Sequence, residues 1–95
     1  MGRSRPVGKR KRRTPAAPAA RTGRAVPKVR AALGQRLVAL RRQREMSQHA
    51  LGAQSRLSAK FIGEVERGQK SISVDSLARV ATALGLRLHE LLQFD

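Results

Sequence analysis

From residue 29 onward, apolar residues recur three or four positions apart, which is the spacing of one face of an α-helix. A first helix running to about Arg44 is predicted from four such residues: Val29, Leu33, Leu37 and Leu40. No stretch alternates apolar and polar residues as a half-buried strand would. The pattern therefore predicts a fold built from helices alone.

Serines that suit helix N-caps divide the rest of this region into short helices. Ser47, Ser58 and Ser73 each precede an apolar stretch. Gly68 and Gly85 follow two of these stretches and supply the left-handed conformation that often ends a helix. Helices are thus predicted over residues 48–54, 59–67, 74–84 and 88–93. Five helices in all would enclose one small core.

Residues 1–28 differ from the rest of the chain in charge and composition. They hold ten of the 21 Lys and Arg residues, including the run Lys9 to Arg13, and none of the six Asp and Glu residues. All four prolines lie here and bulky apolar residues are few, so this basic tail is predicted to be disordered. Residues 29–95 are predicted to form the one folded domain.

The net charge of +15 points to a polyanionic partner, which could be nucleic acid, an acidic membrane surface or an acidic protein. The chain has no Cys, and His49 and His89 are far apart, so no disulfide, thiolate or metal site is expected. No apolar run is long enough to cross a bilayer, so no membrane partner is predicted. Without a nucleophile–base pair or a phosphate loop, neither an enzyme nor a cofactor is predicted.

The second and third predicted helices are separated by about three residues, which is too short a turn to lay them antiparallel. The third helix would then protrude with one face free. Around it, Phe61, Ile62 and Val65 fall on one arc, and Lys60 and Glu64 fall on another, at about 100° per residue. A protruding helix with a polar arc fits the major groove of DNA. A helical hairpin whose polar arc faces water fits the same spacing.

Short motifs spread over residues 33–92 carry a family resemblance. They are "LR" at 40–41, "SQ" at 47–48 with Leu51, "LS" at 57–58, "FIGEVERG" at 61–68 and "LARVATALGL" at 77–86. These motifs resemble those of the Cro/CI-type helix-turn-helix family, also called the XRE family. The resemblance implies a five-helix, lambda-repressor-like domain and a transcriptional regulator that binds double-stranded DNA, with residues 59–67 as the recognition helix.

The resemblance also implies roles for individual side chains. Gln48, at the start of the second helix, is expected to hold a phosphate. Base edges are expected within reach of Ser58, Ala59, Lys60, Gly63 and Glu64. Phosphate contacts are expected from Arg67, Lys70 and Ser71. Glu66 matches a family glutamate that pairs with an arginine of the first helix, here Arg41.

Three positions depart from the family pattern. Arg56 stands in the turn where the family usually has glycine, so it is expected to adopt φ > 0 at a cost of about 1 kcal/mol. Gly52 stands after the leucine of the second helix, where the family usually has alanine, which is consistent with a tight helix–helix contact. Gly63 stands where serine or a longer contacting residue is common, and Ala59 is also small. Base selectivity is therefore expected to depend on Lys60, Glu64, contact with thymine methyl groups and DNA shape.

A unit of this size spans few base pairs, so a homodimer on half-sites about one helical turn apart is expected. The resemblance places the dimer contact at the C-terminal end, where apolar residues exceed what a small core needs. The candidate residues are Ile72, Leu88, Leu91, Leu92 and Phe94. The expected location is the cytoplasm, in association with the nucleoid.

Other functions fit the same residues. An antitoxin that also binds a toxin, and a restriction-modification controller, would share this fold. A general nucleic-acid-binding protein driven by the basic tail would show little sequence preference and a steep salt dependence. A protein-interaction adaptor would instead present the third helix to a protein.

Overall fold

The computed structural model describes the backbone of residues 16–94 and the side chains of residues 25–94. Five helices follow one another along the chain: α1 Ala16–Gln43, α2 Gln48–Ser55, α3 Ala59–Glu66, α4 Val74–Ala83 and α5 Leu88–Leu91. Residues 16–94 contain no strand, and the predicted all-α, five-helix fold is confirmed.

Helix α1 begins well before its predicted start. The sequence pattern predicted a helix from Val29 and disorder before it, whereas residues 16–28 are helical. Alanine, the residue of highest helix propensity, occupies four of the first five positions of α1 and favours this extension. Pro27 lies inside the helix and leaves out one hydrogen bond of the helical ladder. The rest of the predicted disordered tail, residues 1–15, lies outside the described residues.

The core forms where the apolar stripes of the helices meet. Its buried residues are Leu33, Leu37, Leu40, Leu51, Ile62, Val65, Leu77, Val80, Ala81, Leu84 and Leu91. Fully burying an aliphatic side chain of this size contributes about 1.5–3 kcal/mol. Contacts within this cluster therefore supply the main force that holds the helices together.

Serine side chains cap the first turns of α2, α3 and α4. The Oγ atoms of Ser47, Ser58 and Ser73 each accept the backbone N–H three residues later, at 2.9, 3.0 and 3.0 Å respectively. Such a cap contributes about 1 kcal/mol. The three predicted helix starts are confirmed by these contacts.

One residue with positive φ and two glycines at close backbone contacts help to set the position of α3. Arg56, between α2 and α3, has φ 60° and ψ 40° in the left-handed region, as its place in the turn predicted. A Cβ on Gly52 would lie 2.6 Å from the carbonyl oxygen of Leu57, so α2 contacts the turn through bare backbone. A Cβ on Gly34 would overlap the carbonyl oxygen of Glu66, so α1 contacts the end of α3 in the same way.

Three arginine side chains cap the C-terminal ends of helices that are distant from them in sequence. Their guanidinium groups donate to carbonyl oxygens at 2.6–3.2 Å: Arg36 to Glu90 and Leu91, Arg44 to Leu84, and Arg79 to Ser55. Positive charge at these positions also complements the helix dipole. These contacts, which the sequence pattern did not predict, tie α1 to the C-terminal helices and α4 to α2.

Candidate nucleic-acid interface

Helix α3 has one side in the core and one side toward solvent. Ile62 and Val65 are buried in the core cluster. Lys60 is exposed and Glu64 is half-buried on the other side. Ser58, which caps the helix, is also exposed. The apolar arc of α3 therefore lies in the core and the polar arc lies toward solvent, as the sequence pattern predicted.

Arg41, Glu66 and Gln48 form a hydrogen-bonded network that joins α1, α3 and α2. Arg41 Nε donates to Glu66 Oε2 at 2.7 Å and Arg41 Nη2 donates to Glu66 Oε1 at 3.1 Å. Arg41 Nη1 donates to the carbonyl of Met46 at 2.9 Å. The Arg41 and Glu66 side chains are only 12% and 4% exposed. This two-point ion pair fixes the last turn of α3 against α1.

Gln48, the first residue of α2, is held in the same network. Its Nε2 donates to Glu66 Oε1 at 2.8 Å, which the sequence pattern did not predict. Ser47, the α2 cap, uses its Oγ for the N–H of Ala50. The first-turn N–H groups of α2 that lie before Ala50 have no carbonyl partner within the helix and are available to an anion.

Gly63 is buried, although it was predicted to lie at the DNA contact. The side chains of Gln48 and Arg67 close over it: a Cβ built there would lie 3.1 Å from Arg67 Nη1 and 3.4 Å from Gln48 Nε2 and Oε1. The surface at this point therefore consists of an amide and a guanidinium group. Gly63 contributes the space beneath them rather than an exposed group of its own.

The stretch that follows α3 continues the polar surface. Arg67, Lys70 and Ser71 are exposed. Arg67 Nε donates to Gln69 Oε1 at 3.3 Å. Gly68, with φ +74°, ends the helix and turns the chain. The charged side chains of α3 and this stretch that are not buried are thus Lys60, Arg67 and Lys70, with Glu64 as the acidic member.

The predicted dimer residues divide into one core residue, one exposed residue and three half-buried residues that pack against the core. Leu91 is 0% exposed and belongs to the core, so the prediction is wrong at this position. Helix α5 has four residues, and so short a helix gives no periodicity from which to tell the inward leucine from the outward one. Leu92 is 41% exposed. Ile72, Leu88 and Phe94 are half-buried.

An open apolar groove of about 380 Å³ lies between α1 and the C-terminal end of the chain. Its lining includes Ile72, Leu92 and Phe94. Val26 and Val29 also line it and are 43% and 55% exposed. Val26 precedes residue 29, the predicted start of the folded domain, so it was not among the predicted interface residues. The helical spacing of Val26, Val29 and the apolar residues that follow was the signal that could have found it.

Two features are absent from the described part of the chain: a cluster of metal-ligand side chains and a membrane-crossing helix. Residues 25–94 contain no cluster of three or more His, Asp or Glu side chains that could hold a metal ion. No helix described here is both long enough and apolar enough to cross a membrane.

The region from α1 to α5 matches known proteins. The helix-turn-helix family model HTH_3 matches residues 37–91. The immunity repressor protein of Bacillus phage phi105 is 34% identical over 56 residues, which are 59% of this chain and 39% of that protein. The control protein C.BamHI of Bacillus amyloliquefaciens is 31% identical over 67 residues, which are 70% of this chain and 83% of that protein.

The fold is also similar to that of a solved restriction-modification controller protein, C.AhdI from Aeromonas hydrophila. The two superimpose with a TM-score of 0.64 and 39% identity, over 65% of this chain and 94% of that one. The chain thus spans most of the two control proteins and about two fifths of the phage repressor. The family model covers more than half of the chain and includes all of α2 and α3. The chain therefore belongs to the XRE-type helix-turn-helix family and is a DNA-binding regulator rather than an enzyme.

Proposed function

We propose that the chain is a transcriptional regulator that binds operator DNA as a homodimer, with α3 in the major groove. The observation that supports this most strongly is the anchoring of α3. Ile62, Val65 and the Arg41–Glu66 ion pair hold one side of it, while the other side carries exposed Lys60 and half-buried Glu64. A helix whose orientation is already fixed loses little freedom on binding, so its contacts contribute more of their energy to affinity.

On the outward side of α3, four residues are suited to base edges. The Lys60 ammonium suits O6 and N7 of guanine, and the Glu64 carboxylate suits the amine of cytosine. Ser58 Oγ accepts the Phe61 N–H at 3.0 Å, so its hydroxyl hydrogen is free to donate to a base or a phosphate. The Ala59 methyl suits apolar contact with the methyl group of thymine.

Phosphate contacts would lie beside the base contacts, around the C-terminal end of α3. Gln48, which donates to Glu66 there, and the free N–H groups of the first turn of α2 would hold phosphate. Arg67, Lys70 and Ser71 are exposed at the same end of α3, where they would add further phosphate contacts. These contacts carry no sequence information themselves but fix the register in which α3 meets the bases.

Two copies would meet at the apolar groove beside α1. Leu92 and Val29 are large apolar residues more than a third exposed, and Phe94 and Ile72 lie beside them. An isologous contact at this face would remove that surface from water. In such a dimer the two copies of α3 would have to meet half-sites about 34 Å apart along the duplex.

Similarity to two control proteins supports a narrower role, which is control of a restriction-modification system. C.BamHI and C.AhdI are matched over 83% and 94% of their own lengths. Genes for a DNA methyltransferase and an endonuclease beside this coding sequence would support that role. A toxin gene in the same position would indicate an antitoxin instead.

Selection of the full chain against random duplexes at physiological salt tests the proposal. The expected result is a palindromic site with two half-sites about one helical turn apart. Enrichment of single half-sites would refute the dimer. No enrichment, together with a steep salt dependence of binding, would refute operator recognition and favour a general nucleic-acid-binding protein.

Two lysine substitutions then separate base contacts from phosphate contacts. Lys60→Ala should relax the preference at one base pair of each half-site and cost about 1–3 kcal/mol on the best site. Lys70→Ala should weaken binding to all duplexes by similar factors. It should also reduce the slope of log affinity against log salt concentration by about 1, as expected for the loss of one phosphate contact. The same uniform weakening from Lys60→Ala would show that Lys60 does not contact bases.

A further inference from the structure

Gly63 lies where the outward side of α3 meets the start of α2, and two polar side chains meet above it. Arg67, which follows α3, comes within 3.1 Å of the position a Gly63 Cβ would occupy, and the Gln48 amide comes within 3.4 Å. Gln48 belongs to α2, and Arg67 is the C-cap residue of α3. We call the space between them the Gly63 notch.

Both side chains in the notch keep hydrogen-bond donors that the protein leaves available. Gln48 Nε2 uses one amide hydrogen on Glu66 Oε1 at 2.8 Å and has a second. Among the described residues, Arg67 donates from Nε to Gln69 Oε1 at 3.3 Å, which leaves the Nη1 and Nη2 hydrogens of an exposed guanidinium group. Glu66 brings negative charge close to the notch, but its two-point pair with Arg41 offsets that charge.

The backbone at Gly63 has the ordinary helical conformation, which any L-residue can adopt. Gly63 is absent from the residues with positive φ, and glycine inside a helix is less favourable than alanine. The space that it leaves is therefore the feature that distinguishes it. Because Gly63 has no side chain, the Arg67 guanidinium and the Gln48 amide both lie within 3.4 Å of the point that a Cβ would occupy, and a Cβ there would displace Arg67 Nη1 by a few tenths of an ångström.

We propose that Gly63 is a positioning residue for DNA binding: its missing side chain lets Gln48 and Arg67 lie together so that one backbone phosphate is held by both helices. This inference rests on the proposed DNA binding and adds to it a defined phosphate site. The guanidinium group supplies charge-assisted hydrogen bonds, and the amide supplies a hydrogen bond from the helix that precedes α3.

Gly63→Ala tests this by moving stability and affinity in opposite directions, and Gly63→Leu tests it by filling the notch. Gly63→Ala should raise Tm by a few degrees because alanine favours helix. It should also weaken binding to the selected duplex about threefold, because Arg67 Nη1 must move by a few tenths of an ångström. Gly63→Leu fills the notch and should weaken binding at least about tenfold. Equal affinity for all three proteins would overturn the proposal.

A mutant cycle shows whether Gly63 acts through its two neighbours. In the Gln48→Ala/Arg67→Ala background, Gly63→Ala should change affinity by less than about twofold, since the groups it positions are gone. The same loss as in the wild-type background would mean that the added methyl group blocks the duplex directly, and the positioning role would be rejected.

The wild-type chain separates failure of this inference from failure of the proposed function. If wild-type protein binds the selected duplex and the Gly63 variants bind it equally well, only the notch is rejected. If wild-type protein binds no duplex, the DNA-binding proposal and the notch are both rejected.

Discussion

Glu66→Ala removes the carboxylate that Arg41 and Gln48 share, and the structure indicates how much stability is lost. The Arg41 and Glu66 side chains are 12% and 4% exposed, so solvent screens their interaction weakly. Removing one partner of a buried ion pair costs about 3–5 kcal/mol because the other charge is left without compensation. Arg41 keeps its hydrogen bond to the Met46 carbonyl at 2.9 Å. The expected loss is therefore near the lower value, about 3 kcal/mol.

Thermal and urea unfolding of the full chain, followed by far-ultraviolet circular dichroism, measure this loss. In a domain of this size about 1 kcal/mol shifts Tm by roughly 4–8 °C, so Glu66→Ala should lower Tm by about 12–24 °C. Glu45→Gln, at an exposed carboxylate, is the matched control and should stay within about 0.5 kcal/mol of wild type.

A second variant tests the physical reason for the loss. Arg41→Met combined with Glu66→Leu leaves no buried charge and should recover most of the lost stability. A loss below about 1 kcal/mol for Glu66→Ala alone would refute the argument that this pair anchors α3. A double variant as unstable as Glu66→Ala would show that packing, rather than an uncompensated charge, is what the single substitution disturbs.

Three further variants test other parts of the structure. Gly34→Ala should destabilise the fold by about 1–3 kcal/mol, because its Cβ would overlap the carbonyl oxygen of Glu66. An unfolding midpoint at or above that of wild type would show that α1 and α3 can move apart to accept the methyl group without loss of stability. Val29→Asp with Leu92→Asp should convert a dimer to monomers in sedimentation experiments, since both side chains line the apolar groove; an unchanged mass would place the contact elsewhere. Deleting residues 1–15, which hold seven Lys and Arg residues, should weaken binding to all duplexes alike and flatten the salt dependence; a loss restricted to the selected site would give this segment a role in base recognition.

Features that depend on neighbouring residues were predictable from the sequence. The caps at Ser47, Ser58 and Ser73 act within one turn, so the starts of α2, α3 and α4 follow from local residue types. The positive φ of Arg56 followed from the family resemblance, because the family usually has glycine at this position of the turn. The two faces of α3 followed from apolar periodicity in a helix of two turns.

Features that depend on distant residues were not predictable. Arg36 and Arg44 look like ordinary exposed charges in sequence, and only the fold brings them to the ends of α5 and α4. Gly34 weakens its own helix locally, and its contact with the end of α3 becomes visible only when the two helices pack. Gly63 was expected to contact DNA because of its place in a motif, whereas the burial that Gln48 and Arg67 impose on it depends on how two helices cross.

The central claim is that the outward side of α3 lies in the major groove, and NMR of the labelled chain with the selected duplex tests it most directly. Intermolecular contacts should join Ala59, Lys60 and Glu64 to base protons of the major groove, and amide signals at the start of α2 should shift. Contacts confined to minor-groove protons, or shifts confined to α5 and the apolar groove, would contradict it.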